Sequence, residues 1–363
     1  FATCCGSNGH QHIDERRSVN HVRWSPRLTA GLVIALIAIG TVALVVASGF
    51  DPVAAAAALV RGAAGSWYAI GSGTLVRATP LILTGLAVAV AFRAGVFNIG
   101  AEGQFLVGAS AGTAVALALP TAPSMVVIPA LLAAGAAAGA AWAWIAGVLR
   151  ARFRVLEVIS TIMLNFIALY LVSYLVRGPM QEPTHINPQT ATLAAAARLP
   201  RFGATTRLHL GFAIAVGACL VAWWIMRYTA SGFRLRTAGA NPRAAQSAGL
   251  VDVERVMLRA FLISGALAGV AGAIEVSGVT YALYDNISPG YGYTAIAVAL
   301  LAQLDAAAVI GTGILFGALE AGATAMQRDA GVPSVVVSVV EAAIILALVA
   351  VNRARLVSAG DIK

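Results

Sequence analysis

Long apolar stretches separated by short basic clusters dominate the chain. A helix needs about 20 mostly apolar residues to cross a hydrocarbon core about 30 Å thick, because each residue rises about 1.5 Å. Seven stretches reach that length: residues 28–48, 125–149, 155–176, 208–226, 257–276, 306–326 and 332–351. Three shorter ones, interrupted by Gly or Pro, cover 78–92, 105–119 and 291–304 and are read as further spans. The pattern predicts an all-α integral membrane protein with about ten transmembrane helices.

Charge sets the expected direction of the crossings. With ten spans and an inside N-terminus, 17 of the 24 Lys and Arg residues fall inside and seven outside. That bias places both termini in the cytoplasm. The outside loop bounded by Arg177 and Arg207 runs against the trend, with Arg198 and Arg201 between them. Two outside segments are large enough to meet a partner: 49–77, whose alanine run at 54–58 predicts an interfacial helix, and 178–206. Residues 1–24 are polar, carry His10, His12 and His21, and read as a disordered or non-native tail. The transmembrane domain is expected over 25–355, with a cytoplasmic loop at 229–256 and a cytoplasmic tail at 356–363. The first apolar stretch is long enough to span and is not read as a cleavable leader.

Composition then removes whole classes of function. The chain is 60% hydrophobic and 11% charged, with a mean hydropathy of +0.85, far from a soluble composition of about 25% charged residues. Its net charge of +9 comes from clusters between apolar stretches, so nucleic acid is not an expected partner and membrane lipid is. Lys363 is the single lysine, which excludes a GxxxxGK[ST] phosphate loop; any ATP is hydrolysed on another chain. Cys4, Cys5 and Cys219 are too few and too badly placed for a disulfide framework or a zinc site. No HExxH zinc pair occurs, and the histidines outside the tail are His185 and His209. No catalytic residue or metal ligand is proposed, and an enzyme is not expected.

The polar breaks carry more information. The connection Arg93-Ala94-Gly95-Val96-Phe97-Asn98-Ile99-Gly100 is too polar and glycine-rich for lipid, and residues 285–293 precede the eighth span in a comparable way. Spans two to five and seven to ten are offset by an odd number, so equivalent helices cross in opposite directions. Such inverted repeats with interrupted helices mark the permeation path of many transporters. Glu102, four residues after Asn98, has two readings. Asn98 caps the third span while the carboxylate favours the positive end of its helix dipole by about 0.3–1 kcal/mol; or Glu102 lines a polar path. Glu157, Asn165, Glu275, Glu320 and Glu341 raise the same question, with an interhelical hydrogen bond expected for Asn165. Phe97, Tyr281, Tyr284, Tyr291 and Tyr293 could stack a base or serve as ordinary packing and interfacial residues. Gly135 and Gly139, four apart, suit close helix approach in lipid.

The loop between Arg227 and Arg259 contains a miniature helix. Asn241 caps it, Pro242 suits its first turn and Gly249 ends it. Two turns are too few to be stable alone, since isolated helices need about 12–15 residues. It must pack on something, either its own chain or a groove on a partner, with Ala244, Ala245 and Ala248 as contacts and Arg234, Arg236 and Arg243 as flanking charges.

Three segments together resemble one family. They are Phe92-Arg93-Ala94-Gly95-Val96-Phe97-Asn98-Ile99-Gly100-Ala101-Glu102-Gly103-Gln104, then Glu157-Val158-Ile159-Ser160-Thr161-Ile162-Met163-Leu164-Asn165, and Gly239-Ala240-Asn241-Pro242-Arg243-Ala244-Ala245. The chain resembles, over about residues 78–355, the permease superfamily of ATP-binding-cassette (ABC) importers for ribose, other simple sugars, branched-chain amino acids and nucleosides. The resemblance implies a bacterial cytoplasmic (inner) membrane permease that pairs with a second permease, in the nucleoside branch commonly a different one. It implies ATP and magnesium on a cytoplasmic ATPase, no cofactor on this chain, and an external substrate-binding lipoprotein. Gly239, Asn241, Pro242, Arg243, Ala244, Ala245 and Gly249 would couple to the ATPase. Phe97, Asn98, Glu102, Gln104, Glu157, Asn165, Tyr291 and Tyr293 are candidates for the translocation path. The form of the 97–104 segment is closest to the nucleoside branch, which implies purine nucleosides as substrate, with ribose or galactose as the alternative. An ion-coupled secondary transporter, using Glu102 and Glu157, is the reading from another class. Gln303-Leu304-Asp305 departs from the more basic turn the family leads one to expect.

Overall fold

The computed structural model describes residues 45–203, 205–249 and 252–333, with isolated positions at 35, 39, 40, 42, 43, 335, 338, 339 and 342. The two tails, most of the spans expected at 28–48 and 332–351, and Glu341 lie outside the described residues. Among the described residues the regular structure is helical, and strand-like pairing is limited to two single bridges, Gln189 with Tyr284 and Arg201 with His209. In chain order the α-helices are α1 (Pro52–Ala64), α2 (Leu75–Arg93), α3 (Ala101–Ala118), α4 (Ser124–Phe153), α5 (Glu157–Arg177), α6 (Leu210–Tyr228), α7 (Ala230–Ala240), α8 (Pro242–Ser247), α9 (Val253–Glu275), α10 (Tyr291–Leu301) and α11 (Ala308–Ala330). A π-helical turn, Ala69–Thr74, runs directly into α2, and another, Val276–Thr280, extends α9.

Six of the resulting helices are long and apolar enough to cross a membrane: Ala69–Arg93, Ser124–Phe153, Glu157–Arg177, Leu210–Tyr228, Val253–Thr280 and Ala308–Ala330. Helix α10, with 11 residues, covers about 16 Å, roughly half of a hydrocarbon core. The second expected span differs most from its outline. Hydropathy begins it after Arg77, yet the helix starts at Ala69 and passes through that arginine. Arg77 reaches the Gly73 carbonyl (3.5 Å) and the Thr324 hydroxyl of α11 (3.3 Å), so protein groups answer the charge and the helix need not stop. A helix does form in 49–77: α1, capped by Asp51, whose carboxylate accepts the Val53 N–H at 2.8 Å. It lies against α11, with Gly62 beside Ala321, Gly322 and Ala325.

Helix α2 is the axis of the fold, buried without interruption over residues 78–91, while α4, α5 and α6 keep most of their surface outward. A helix apolar on every side belongs in such a centre. Beside it, α3, α4 and α9 meet through bare backbone. A Cβ placed on Gly108, Gly139, Gly265 or Gly269 would penetrate the backbone of a neighbouring helix, which is the close approach that Gly135 and Gly139 suggest.

Helix ends meet in two places. The end of α2 meets the end of α10 through Arg93 and the Gln303 carbonyl (3.4 Å), and the end of α5 meets the 281–290 connection through Arg177 and Asp285 (2.6 Å). The segment at 178–206, expected to be large enough to meet a partner, folds back over its own chain. The N–H groups of Leu193, Thr190 and Leu199 donate to the carbonyls of Tyr281 (2.7 Å), Leu283 (2.8 Å) and Ser277 (2.9 Å). The guanidinium groups of Arg198 and Arg201 stand 4.8 and 5.8 Å from the Tyr281 ring centre. The departure at Gln303 and Leu304 is a left-handed turn that positions Asp305 to cap α11, accepting the N–H groups of Ala307 and Ala308 at 3.0 Å.

His209, at the head of α6, is fully buried, with Nδ1 accepting the Gly211 N–H at 3.2 Å and its ring laid against Gly278. Burial, reinforced by the charges of Arg201 and Arg207, lowers its pKa from 6.5 to about 4. The folded protein therefore holds this imidazole neutral, whereas an unfolded chain takes up a proton below about pH 6.5. Stability is lost as pH falls from about 6.5 towards 4, on the order of 3 kcal/mol across the window. His209→Asn keeps an acceptor for Gly211 and does not titrate. In detergent it should lose less Tm than the parent between neutral pH and about pH 4.5, and equal losses would clear His209 of responsibility.

Candidate functional site: the helix junction and the coupling loop

The connection between α2 and α3 is held by side chains from other helices. Asn98 is fully buried. Its amide pairs reciprocally with that of Gln104 (2.9 and 3.1 Å), accepts the Gly100 N–H (2.9 Å) and donates to the Ser264 hydroxyl of α9 (2.9 Å). Asn98 thus closes the loop without capping α3. Gly100 occupies the N-cap position and has no side chain to offer.

The cap comes from α5. The Asn165 carbonyl oxygen accepts the Gly103 N–H at 2.8 Å, at the third position of α3, where a local cap residue would bond. Its amide nitrogen donates to the Ile99 carbonyl (2.9 Å) and lies 3.4 Å from the Tyr293 hydroxyl. The interhelical bond expected of Asn165 is present, and it completes a helix terminus. The same device recurs one helix further on. Glu102 accepts the Gly292 N–H of α10 at 2.6 Å, while Ser288 accepts the Tyr291 N–H at 3.1 Å. The first turns of α3 and α10 press together so closely that only glycine fits at 292. A buried carboxylate therefore sits where two positive helix ends converge. Phe105 and Tyr291 add an edge-to-face ring contact at 5.7 Å.

Of the eight path candidates, Asn98, Glu102, Gln104, Asn165, Tyr291 and Tyr293 come together at this junction. Phe97 does not: it is exposed and rests edge-on against Phe92 (5.2 Å). Glu157 lies at the start of α5, where it pairs with Arg150 at 3.2 Å. Ser264 was missed by the sequence reading, because one hydroxyl in an apolar helix carries no signal. Ser110 has the Gly-x-Ser-x-Gly spacing of a nucleophile elbow, with Gly108 and Gly112, but lies within α3 and donates to the Leu106 carbonyl (2.9 Å). It lacks the exposed strand-to-helix turn that such a nucleophile needs.

The miniature helix forms as its residues predict. The Asn241 side chain accepts the Ala244 N–H at 3.0 Å, Pro242 occupies the first position of α8, and Gly249 follows its end with a positive φ of 67°. No residue of α8 is buried, and Ala244 is exposed. Behind it, a cavity of about 690 Å³ opens among Arg150, Arg154, Pro242, Gln246, Asp252 and Met257. Gly239, near the end of α7, packs its backbone directly on Arg93 and Ala94, and Gly95 lies against Gly239 in turn. The loop that carries α8 therefore touches the chain leading into the Asn98 junction.

This architecture, short helices meeting end to end inside a membrane-spanning bundle, defines a transport protein of the permease class. The family of branched-chain amino acid transport system permease components matches residues 70–349, and the chain belongs to it. It is 41% identical over 307 residues to the guanosine ABC transporter permease protein NupP of Bacillus subtilis, covering 84% of this chain and 87% of that one. It is 39% identical over 351 residues to the glucose ABC transporter permease protein TsgB13 of Haloferax volcanii, covering 93% and 90%. It is 33% identical over 311 residues to the nucleoside ABC transporter permease protein NupB of Lactococcus lactis, covering 83% and 85%. The chain is an ABC transporter permease subunit, a membrane transport component and not an enzyme.

Proposed function

We propose that this chain lines the translocation path of a nucleoside importer, purine nucleosides first, in the cytoplasmic membrane of a bacterium. In this reading ten spans in two inverted repeats place both termini in the cytoplasm, a second permease completes the path, an external lipoprotein delivers the substrate, and a cytoplasmic ATPase with ATP and magnesium powers the cycle. The exposed helix α8, joined through Gly239 to the Asn98 junction, carries the proposal. A motor that grips α8 moves α7, and α7 bears on the connection from which α3 starts. The nucleoside preference is supported by the named substrates of NupP and NupB; TsgB13 keeps a simple sugar as the second reading.

The test is assembly and transport with a charge placed on α8. Ala245→Arg should weaken copurification with the cognate ATPase by at least about tenfold, about 1.4 kcal/mol, and bring ATP-driven guanosine uptake in proteoliposomes to background. Undiminished uptake without any ATPase, driven instead by an ion gradient, would replace the ABC mechanism with the ion-coupled one.

A further inference from the structure

A second polar region adjoins the junction and shares Tyr291 with it. Two cavities share Arg77 and Thr324 in their walls: one of about 530 Å³ between α2, α9, α10 and α11, and one of about 540 Å³ between α1, the 69–74 turn, α2 and α11. Each is of the size that holds a small molecule. The first is lined by Arg77, Glu275, Tyr284, Tyr291, Thr294 and Glu320. Glu275 is 5% exposed; the charges of Arg77 and Arg207 act on its carboxylate, and among the described residues no hydrogen bond reaches it. A carboxylate so placed is better satisfied when a ligand supplies donors. Arg77 spends only part of its five-donor guanidinium on Gly73 and Thr324.

We propose that this cavity is a permeant site that grips the sugar hydroxyls of a neutral ligand, with Glu275 accepting from a vicinal diol and Arg77 donating to ligand oxygens. The inference rests on the nucleoside reading for its choice of ligand. Vicinal hydroxyls supply two donors on one side, which suits the two oxygens of one carboxylate. The tyrosine rings supply apolar faces for the flatter parts of the ligand.

The experiment uses the complete transporter, with its ATPase, second permease and binding protein, in proteoliposomes. Uptake of guanosine and 2′-deoxyguanosine is compared in the parent, Glu275→Gln and Thr294→Val, so that any discrimination by the binding protein is common to all three. Glu275→Gln should lower guanosine uptake at least tenfold and shrink the guanosine to deoxyguanosine ratio severalfold, with ATPase copurification unchanged. Thr294→Val, an isosteric change on a half-buried helical position, should raise the guanosine KM severalfold without moving assembly, and it decides the matter if Glu275→Gln does not fold. Parental uptake and an unchanged ratio in a folded Glu275→Gln protein, or an unchanged KM in Thr294→Val, would overturn the site. If the parent moves glucose and no nucleoside, the nucleoside reading fails by itself, and glucose against 2-deoxyglucose then tests the same cavity.

Discussion

Replacing Gly269 by leucine is expected to abolish recovery of folded protein. The α carbon and carbonyl of Gly269 touch both α3 at Gly108 and α4 at Gly135 and Gly139, and a Cβ there would lie inside the Gly135 backbone and 3.0 Å from the Gly139 Cα. Flexible side chains could yield by rotating, but here the opposing atoms are main chain on two helices. Accommodation requires α9 to move away from α3 and α4 together. In lipid no hydrophobic force restores the lost contact, because association rests on packing and hydrogen bonds. Even ordinary overpacking costs about 1–3 kcal/mol, and a rigid three-helix contact stands above that range. Size-exclusion chromatography of the detergent-extracted variant should show loss of the monodisperse peak. Gly217→Ala is the control. Among the described residues nothing lies within 4 Å of a Cβ at that position in α6, and relief of glycine's backbone entropy should stabilise by about 0.5–1 kcal/mol. A Gly269→Leu protein that elutes and melts like the parent would show that the α3, α4 and α9 contact is not what holds the bundle.

The parts legible in the sequence share one property: their physics is local. Helix α8 could be read because cap, first-turn proline and terminal glycine lie within nine residues: Asn241 and Gly249 make their bonds inside that window, and Pro242 needs none. The long spans could be read because lipid imposes a length on any apolar helix. What escaped depends on partners far along the chain. Asn98 has the spacing of a cap and does accept the Gly100 N–H, but α3 begins only at Ala101, and nothing in the local string says that its Gly103 N–H is met by a side chain 62 positions away. Arg77 was assigned to an outside segment because hydropathy weighs its charge but not the Thr324 hydroxyl 247 positions later that accepts from it. Phe97 and Glu157 stood beside motif residues and shared their standing by proximity, and the fold turns both away from the junction. Glu102 is the instructive middle case. The sequence posed the right choice, a carboxylate for a helix terminus or for a path, but the N–H it accepts belongs to α10, so its charge stands at two helix ends and not only its own.

That choice is decided by comparing Glu102→Gln with Glu102→Ala. Glutamine keeps an oxygen that can accept the Gly292 N–H and gives up the charge, so it should forfeit only the attraction to the converging helix ends, about 0.3–1 kcal/mol for each. Alanine leaves that N–H buried without an acceptor as well, which adds about 1–3 kcal/mol. The order of thermal stability in detergent should therefore be parent, then glutamine, then alanine, with alanine several degrees below the parent. Transport should fall in the same order, at least about tenfold for alanine, because a frayed α10 no longer holds Gly292 against α3 and the contact passed from Gly239 through residues 94–100 ends on a loose partner. A carboxylate needed only by the permeant predicts another pattern: both variants melt like the parent and both transport equally poorly. Separate measurement of melting and uptake distinguishes the two roles, since a clamp between half-helices must register in stability before it registers in flux.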